Sequence, residues 1–417
     1  MLFLKWFTSR TVRHAWQGAN HIEKILHHQR DLLSADAIAA VQSDINNVRA
    51  KCRAGDKAAV TDALAKLEKS ANKWLKPYPN SALRENIEVA LVAIAVAMGI
   101  RTFFLQPFTI PTGSMQPTLY GVTSEDLRGR DDVKIPNGLA RFFEYWFNGV
   151  SYIHLVAKAD GTLTYDPPSK LVLFNRSQTY RINGTPQPSI WFPPDGLFER
   201  SGVFPGTEVH AGQDIVKMRV ISGDHLFVDR LSYNFRRPAR GDIVVFETHG
   251  IQGIKDLSPS SPEMWDTYYI KRLNGLGGER LALKHDHDVV FPDGGRAPVG
   301  HLIVNGTNAI THMTPHYENL YSFPDATSGT NKAIPYRENH YVGHALMRSL
   351  SPGSEVTVRP GHYFVMGDNT LNSSDSRYWG DFDQRKVIGK SFFVYWPIGG
   401  TTFKGEQRDS RFGWAHR

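Results

Sequence analysis

The sequence predicts a mainly β domain carried on one apolar helix, with a separate α-helical segment in front of it. Three observations carry that prediction. Hydrophobic periodicity changes near residue 106, an uncharged apolar run lies just before the change, and the net charge of +7 is confined to one side of the run. Apolar and charged fractions of 41% and 21% are those of folded proteins rather than disordered or collagen-like ones. Cys52 is the only cysteine, so no intrachain disulfide can form and the core alone must hold any extracytoplasmic part.

Residues 1–84 read as an amphipathic helical extension. Ile38, Val41, Ile45 and Val48 fall at helical spacing, as do Val60, Leu64, Leu67, Ala71 and Trp74. Ala54-Gly-Asp56 breaks the pattern, with Asp56 placed to cap the second helix, so a self-packed helical hairpin is expected. The segment holds 14 Lys+Arg against 7 Asp+Glu, which accounts for the whole excess of the chain. Neither RNP-type aromatics nor Cys/His fingers accompany the basic residues, which argues against a nucleic-acid partner.

Residues 85–106 form the expected membrane anchor. Val89 to Ile100 carries no charge, and with Glu88 and Arg101 snorkelling to the interfaces the run through Leu105 approaches the ~20 residues that a span needs. The basic extension precedes it, so the positive-inside rule puts the N-terminus in the cytoplasm and everything after Leu105 outside.

Beyond Gln106, short β-branched and aromatic runs alternate with Gly/Pro/Asn/Asp turns: Asp224–Arg230, Asp242–Phe246, Tyr268–Leu273, His301–Val304, Tyr363–Met366 and Ser391–Trp396. These define a β domain over 107–400, with an insertion at about 121–210 that is rich in aromatics and Pro/Gly, a loop-like one at 285–361 with many His, Asn and Pro, and a tail at 401–417. Leu139–Val156, rich in Phe, Tyr and Trp, is either an interfacial aromatic patch or buried core. His285-Asp-His-Asp288 has metal-ligand residue types but no ligand spacing, and reads as a polar turn. Asn175-Arg-Ser and Asn305-Gly-Thr match glycosylation sequons, a pattern short enough to arise by chance.

Three stretches could carry chemistry. In Gln106-Pro-Phe-Thr-Ile-Pro-Thr-Gly-Ser-Met-Gln-Pro-Thr-Leu119, the prolines impose an extended path and Gly113 allows a bend beside Ser114, displaying its hydroxyl just beyond the apolar run. A serine nucleophile needs a base. Lys271, in Tyr268-Tyr-Ile-Lys-Arg-Leu273, becomes one if it faces inward, because burial lowers its pKa; otherwise it is a solvated strand lysine beside Arg272. The third stretch, Tyr363 to Gly380, is a strand running into a polar turn where Asp375 and Arg377 can pair and Ser373, Ser374 or Ser376 can orient a lysine.

Taken together, these stretches resemble the bacterial type I signal peptidases, the serine–lysine peptidases of family S26. Ser114-Met-Gln-Pro-Thr-Leu119 matches the nucleophile box, Arg240-Gly-Asp-Ile-Val-Val-Phe246 the Arg-Gly-Asp strand box, and Tyr269-Ile-Lys-Arg272 the lysine box. Gly367-Asp-Asn and Asn372-Ser-Ser-Asp-Ser-Arg-Tyr-Trp-Gly380 are similar to the C-terminal box. Thr370-Leu371 and Gly277-Gly278 depart from the family's usual Arg-Asp and Pro-Gly.

The resemblance implies a signal-peptidase-type β catalytic domain on one N-terminal transmembrane helix, in the bacterial cytoplasmic membrane, with the catalytic domain extracytoplasmic. It implies a serine endopeptidase that removes signal peptides from exported preproteins, with Ser114 as nucleophile and Lys271 as general base. Thr112 and the Ser114 N–H would form the oxyanion hole, Ser373 would hold Lys271, and Asp375–Arg377 would be a structural ion pair. Phe108, Ile110, Tyr269 and Ile270 would line pockets for small side chains, with the substrate adding as a strand to Phe108–Thr112. Expected partners are preproteins and the lipid bilayer; no metal or cofactor is required.

Overall fold

A computed structural model describes residues 9–76, 80–130, 133–171, 174–194, 196–257, 259, 265–309, 320, 333–337, 341–404 and 406–414. Parts of the expected extension, second insertion and tail lie outside the described residues. The chain divides into two compact units, residues 1–96 and 97–417.

Three helices, α1 (Arg10–His28), α2 (Ala35–Ala54) and α3 (Lys57–Trp74), build the first unit, where a hairpin of two was expected. The third member is α1. Its Val12, Ala15, Ala19, Ile22 and Leu26 form a stripe at 3,4 spacing, with alanines where the helices approach closely. Ser9, Ser34 and Asp56 cap the three N-termini by accepting hydrogen bonds from Val12, Ala37 and Ala58. Gly55 ends α2 in the left-handed conformation. All three stripes close on one core of Ile45, Val48, Val60 and Leu67 with those of α1.

Helix α4 (Ser81–Phe103) contains 21 residues, Leu83–Phe103, that are long and apolar enough to cross a membrane. None of that window is buried against protein. A soluble helix this apolar would pack its side chains away from water.

The second unit is mainly β, as expected. Its principal sheet has β1 (Leu105–Thr109), β2 (His225–Asp229), β3 (Ile243–Glu247), β4 (Tyr268–Leu276), β5 (His362–Met366), β6 (Phe382–Asp383), β7 (Val387–Trp396) and β8 (Gly413–Trp414). Their order is β1-β2-β7-β3-β4-β5-β6, all antiparallel, with β8 on β7. Ile110, Met115, Leu226, Val228, Ile243 and Val245 form one core on this sheet; Val244, Phe246, Leu273, Val365 and Trp379 form another. Alternation along each strand accounts for the two sets.

The described parts of both insertions carry regular structure, which in the second replaces part of the expected loop. The first holds a helix, α5 (Gly138–Asn148), and a sheet of Thr123–Asp126, Asp214–Ile221 and Val150–Val156, with its own core around Leu163, Phe198 and Val216. The second contains the long hairpin Arg280–Val290 and Arg296–Val304. His285 to Asp288 therefore lies inside a strand rather than a turn, with His285 paired to Asp288 at 2.9 Å and His301 to Asp286 at 2.7 Å. Composition hid this strand because polar residues occupy both of its faces, His287 being buried and His285, Asp286 and Asp288 partly exposed, with a bulge between His285 and His287. The expected tail likewise joins the fold: Phe403 is buried, and Gly413 and Trp414 pair with β7.

Candidate active site

After β1 the chain turns through Thr112 into a short 3-10 turn, Gly113–Met115, which buries Met115 in the core and brings Ser114 to the surface of the sheet. Gly113 has no left-handed backbone, so the bend does not depend on it as expected. What ties the loop is Asp224, fully buried at the neck. Its carbonyl accepts from Ile110 N–H at 2.9 Å, its N–H donates to the Tyr120 carbonyl at 2.8 Å, and its carboxylate accepts from Tyr120 N–H at 2.7 Å. Arg411, from the C-terminal segment, neutralises that carboxylate at 2.7 Å and lies over the Tyr120 ring.

Lys271 sits in β4 opposite Val244 of β3 and is 5% exposed. Its Nζ meets Ser114 Oγ at 2.6 Å and lies 5.6 Å from the centre of the Tyr269 ring. Burial lowers its pKa from 10.5 to about 8, against an opposing pull from Asp375 and Asp368. No carboxylate among the described residues reaches salt-bridge distance of this amine. Of the two readings of Lys271, the structure has the inward-facing one. Thr112 Oγ1 stands 3.5 Å from Ser114 Oγ, on the same loop.

Asp375 and Arg377 form the expected ion pair, both side chains fully buried, with two parallel hydrogen bonds of 2.9 and 2.7 Å. Arg377 also donates to Thr370 and to the Ala345 carbonyl, so its charge is dispersed over fixed acceptors. Burial would raise the Asp375 pKa, but Arg377, the Gly367 N–H and the Ser373 hydroxyl outweigh it and hold the carboxyl below its usual range. Ser373 enters differently from expectation. Its hydroxyl donates to Asp375 at 2.8 Å, while Lys271 donates to Ser114 instead. Gly367 lies between the two serines: a Cβ there would stand 2.1 Å from Ser373 Oγ and 2.5 Å from the Ser114 carbonyl.

Sequence reasoning missed a second buried pair. Arg272 donates to Asp368 at 2.6 and 2.7 Å, to the Gly241 carbonyl at 3.0 Å and to Thr118 at 3.1 Å; Thr118 in turn donates to Asp368 at 2.5 Å. One ion pair thus ties together all four sequence stretches that carry the resemblance. The signal was present in the adjacent charges of Lys271 and Arg272, since alternation must turn one of them to each face of a strand buried on both. Asn369 adds a third tie to the Ser114 turn, donating to the Gly113 carbonyl and the Ser114 carbonyl at 3.0 Å each.

Strand β1 ends the strand order, so one of its edges is open. Phe104 and Ile110 direct backbone groups at β2, and by alternation those of Leu105, Pro107 and Thr109 face the open side. Phe108 touches Tyr268 edge-on at 5.4 Å, which brings β1 beside the start of β4. Phe108, Tyr269 and Ile270 are half-buried, whereas Ile110 is 3% exposed and belongs to the core beneath.

The family described as signal peptidase, peptidase S26, matches residues 83–124 and 216–396, just over half of the chain. The gap between the two matched segments falls in the first insertion. Among curated relatives, the chain is similar to a Signal peptidase I of Leptolyngbya laminosa, 30% identical over 176 residues, covering 42% of this chain and 61% of that protein. It is 26% identical over 200 residues to a Signal peptidase I of Pseudomonas aeruginosa, covering 42% and 60%. The matches therefore span about three fifths of the length of these relatives. A solved signal peptidase I from Enterococcus faecalis V583 aligns over 37% of this chain and 97% of its own at 25% identity, with a TM-score of 0.22 that carries no argument about the fold.

Proposed function

This chain belongs to the signal peptidase family, peptidase S26, and from that premise we propose that it is a signal peptidase I, a membrane-bound serine endopeptidase that removes signal peptides through Ser114 and Lys271. The observation that carries the reading is the 2.6 Å contact between Lys271 Nζ and Ser114 Oγ with the amine buried. At a pKa of about 8, roughly a tenth of such lysines are neutral at pH 7, against about one in three thousand for a free side chain at 10.5.

The neutral amine takes the proton from Ser114 Oγ, which attacks the carbonyl carbon of the scissile peptide. Negative charge on the carbonyl oxygen is stabilised by Ser114 N–H and the Thr112 hydroxyl. As the C–N bond breaks, the Lys271 ammonium gives its proton to the departing amine. Lys271, neutral again, then takes a proton from water, whose hydroxide attacks the acyl-serine ester; as the ester C–O bond breaks, the Lys271 ammonium returns that proton to Ser114 Oγ, freeing the new carboxyl terminus and regenerating the neutral amine. Ser373 acts at one remove, fixing Asp375.

The substrate segment adds as a strand at the open edge of β1. Phe108, Tyr269 and Ile270 line the small-residue pockets, with Ile110 forming the floor under them. Helix α4 anchors the chain in a bacterial cytoplasmic membrane, the +7 excess of residues 1–84 keeps α1–α3 cytoplasmic, and the β unit lies outside.

Ser114→Ala and Lys271→Ala should each lower preprotein cleavage by at least ~10³-fold, and the double variant should lose little more, because nucleophile and base act as one unit. Full activity in either folded single variant ends the proposal.

A further inference from the structure

Helix α5 is turned inside out. Leu139, Phe142, Phe143, Tyr145, Trp146 and Phe147 are all about half exposed or more, from 48% to 75%. The least exposed positions of the helix are Glu144 and Asn148. Arg141 donates inward to the Tyr152 carbonyl, and Glu144 acts on the Tyr152 hydroxyl. A helix on a water-facing domain directs these two classes of side chain the other way. Its C-terminal carbonyls are bolted down. Trp396 Nε1 donates to the Trp146 carbonyl at 2.7 Å, and the N–H groups of Ile398 and Gly399 donate to the Phe147 carbonyl at 2.9 and 2.7 Å. The aromatic face is therefore held outward by a rigid sheet.

We infer that α5 is a second membrane contact: its aromatic face seats in the interface of the same bilayer that α4 crosses. Two observations select lipid as the occupant. The face combines Trp and Tyr with Phe and Leu, the mixture that settles at the headgroup–acyl boundary, rather than the purely aliphatic surface that the acyl core prefers. It is also continuous with the span through the sheet. Phe103 ends α4 and Leu105 begins β1; at the other end of β1, Thr109 pairs with His225, which pairs with Trp396, the residue bonded to α5. The span and α5 thus bracket β1, whose four residue steps cover about 14 Å. With both ends held at the lipid surface, β1 lies along the bilayer and its open edge faces segments emerging from it. This inference rests on the reading of α4 as a span, and the test separates the two.

The full chain, with Cys52→Ser, is reconstituted into phosphatidylethanolamine–phosphatidylglycerol vesicles and labelled with an environment-sensitive fluorophore at Trp146→Cys, Met98→Cys or Arg296→Cys. Quenching by a lipid-borne nitroxide is then measured. The label at 146 should be quenched about five-fold more than the one at 296. Equal quenching at 146 and 296 overturns the inference whatever happens at 98; quenching at 98 reports on the span alone. Self-quenching at 146 that grows with the protein-to-lipid ratio makes the face a contact between copies, which also overturns it. In a second readout, Phe142→Ser with Phe143→Ser and Trp146→Ser should slow cleavage of a vesicle-embedded preprotein about ten-fold while leaving a soluble peptide unaffected. Equal loss on both substrates also counts against it.

Discussion

Lys271 and Arg272 are neighbours on one strand, both about 5% exposed, yet their surroundings are opposites. Arg272 is saturated: a carboxylate takes two of its donors, with the Gly241 carbonyl and Thr118 taking others. Lys271 meets one neutral hydroxyl and an aromatic face. The same chemistry repeats in a different part of the domain at Arg377, which is surrounded by Asp375, Thr370 and Ala345, all within hydrogen-bond distance. Burial of a charge is tolerated when it is paired and resisted when it is not. The fold supplies carboxylates to its arginines and withholds one from its lysine. That difference separates a structural cation from the proposed base.

The comparison breaks most visibly at the arginines. Asp368→Asn or Asp375→Asn leaves an uncompensated buried guanidinium, and each should destabilise the second unit by about 3–5 kcal/mol. Denaturant midpoints at low temperature measure this; a loss below ~1 kcal/mol would show that these pairs are solvated.

Lys271→Met should do the reverse, abolishing cleavage while stabilising the protein by about 3 kcal/mol at neutral pH, since the pKa is lowered from 10.5 to about 8. The sign follows from linkage. Below pH 8 the folded and unfolded lysines are both protonated and burial of the charge is opposed in full. Between pH 8 and 10.5 the unfolded chain binds the extra proton, so wild-type stability rises with pH, and above 10.5 the advantage of the methionine disappears. A wild-type–variant difference that is flat from pH 7 to 11 contradicts this.

The smallest effect sharpens the comparison. Cleavage should decline in acid with an apparent pKa near 8, and Asp375→Asn, by removing the stronger of two attracting carboxylates, should move that limb to lower pH. Initial-rate profiles of kcat/KM for the two proteins decide it; an unshifted limb removes Asp375 from the electrostatics of the base.

Much of this was legible in the sequence. The strands from Asp224 to Trp396 showed through their β-branched runs, and Ser114, Lys271, Asp375 and Arg377 through motifs at fixed order. Harder to see was what depends on long-range closure. Helix α1 shows only a narrow stripe of Val12, Ala15, Ala19, Ile22 and Leu26 among charged residues and histidines, and two partners are needed to cover it. His285–Asp288 spells a turn in composition but sits in a strand held by Arg296–Val304. Asp224 and Arg411 are 187 residues apart and unremarkable separately. Ser373 was expected beside the lysine, yet its hydroxyl answers the stronger field of the Asp375 carboxylate.

The clasp at Asp224 has an architectural consequence. The chain leaves the Ser114 loop at Tyr120 and re-enters at Asp224 with its two ends already hydrogen-bonded, so residues 121–223 form an excursion from a closed neck that is pinned again, further out, by Trp396, Ile398 and Gly399. Closing entropy grows only slowly with the length of such an excursion. Lengthening, trimming or exchanging it therefore leaves the position of Ser114 nearly untouched. The aromatic helix belongs to that excursion, which makes its exposed face a surface that can be exchanged without rewriting the geometry around Ser114.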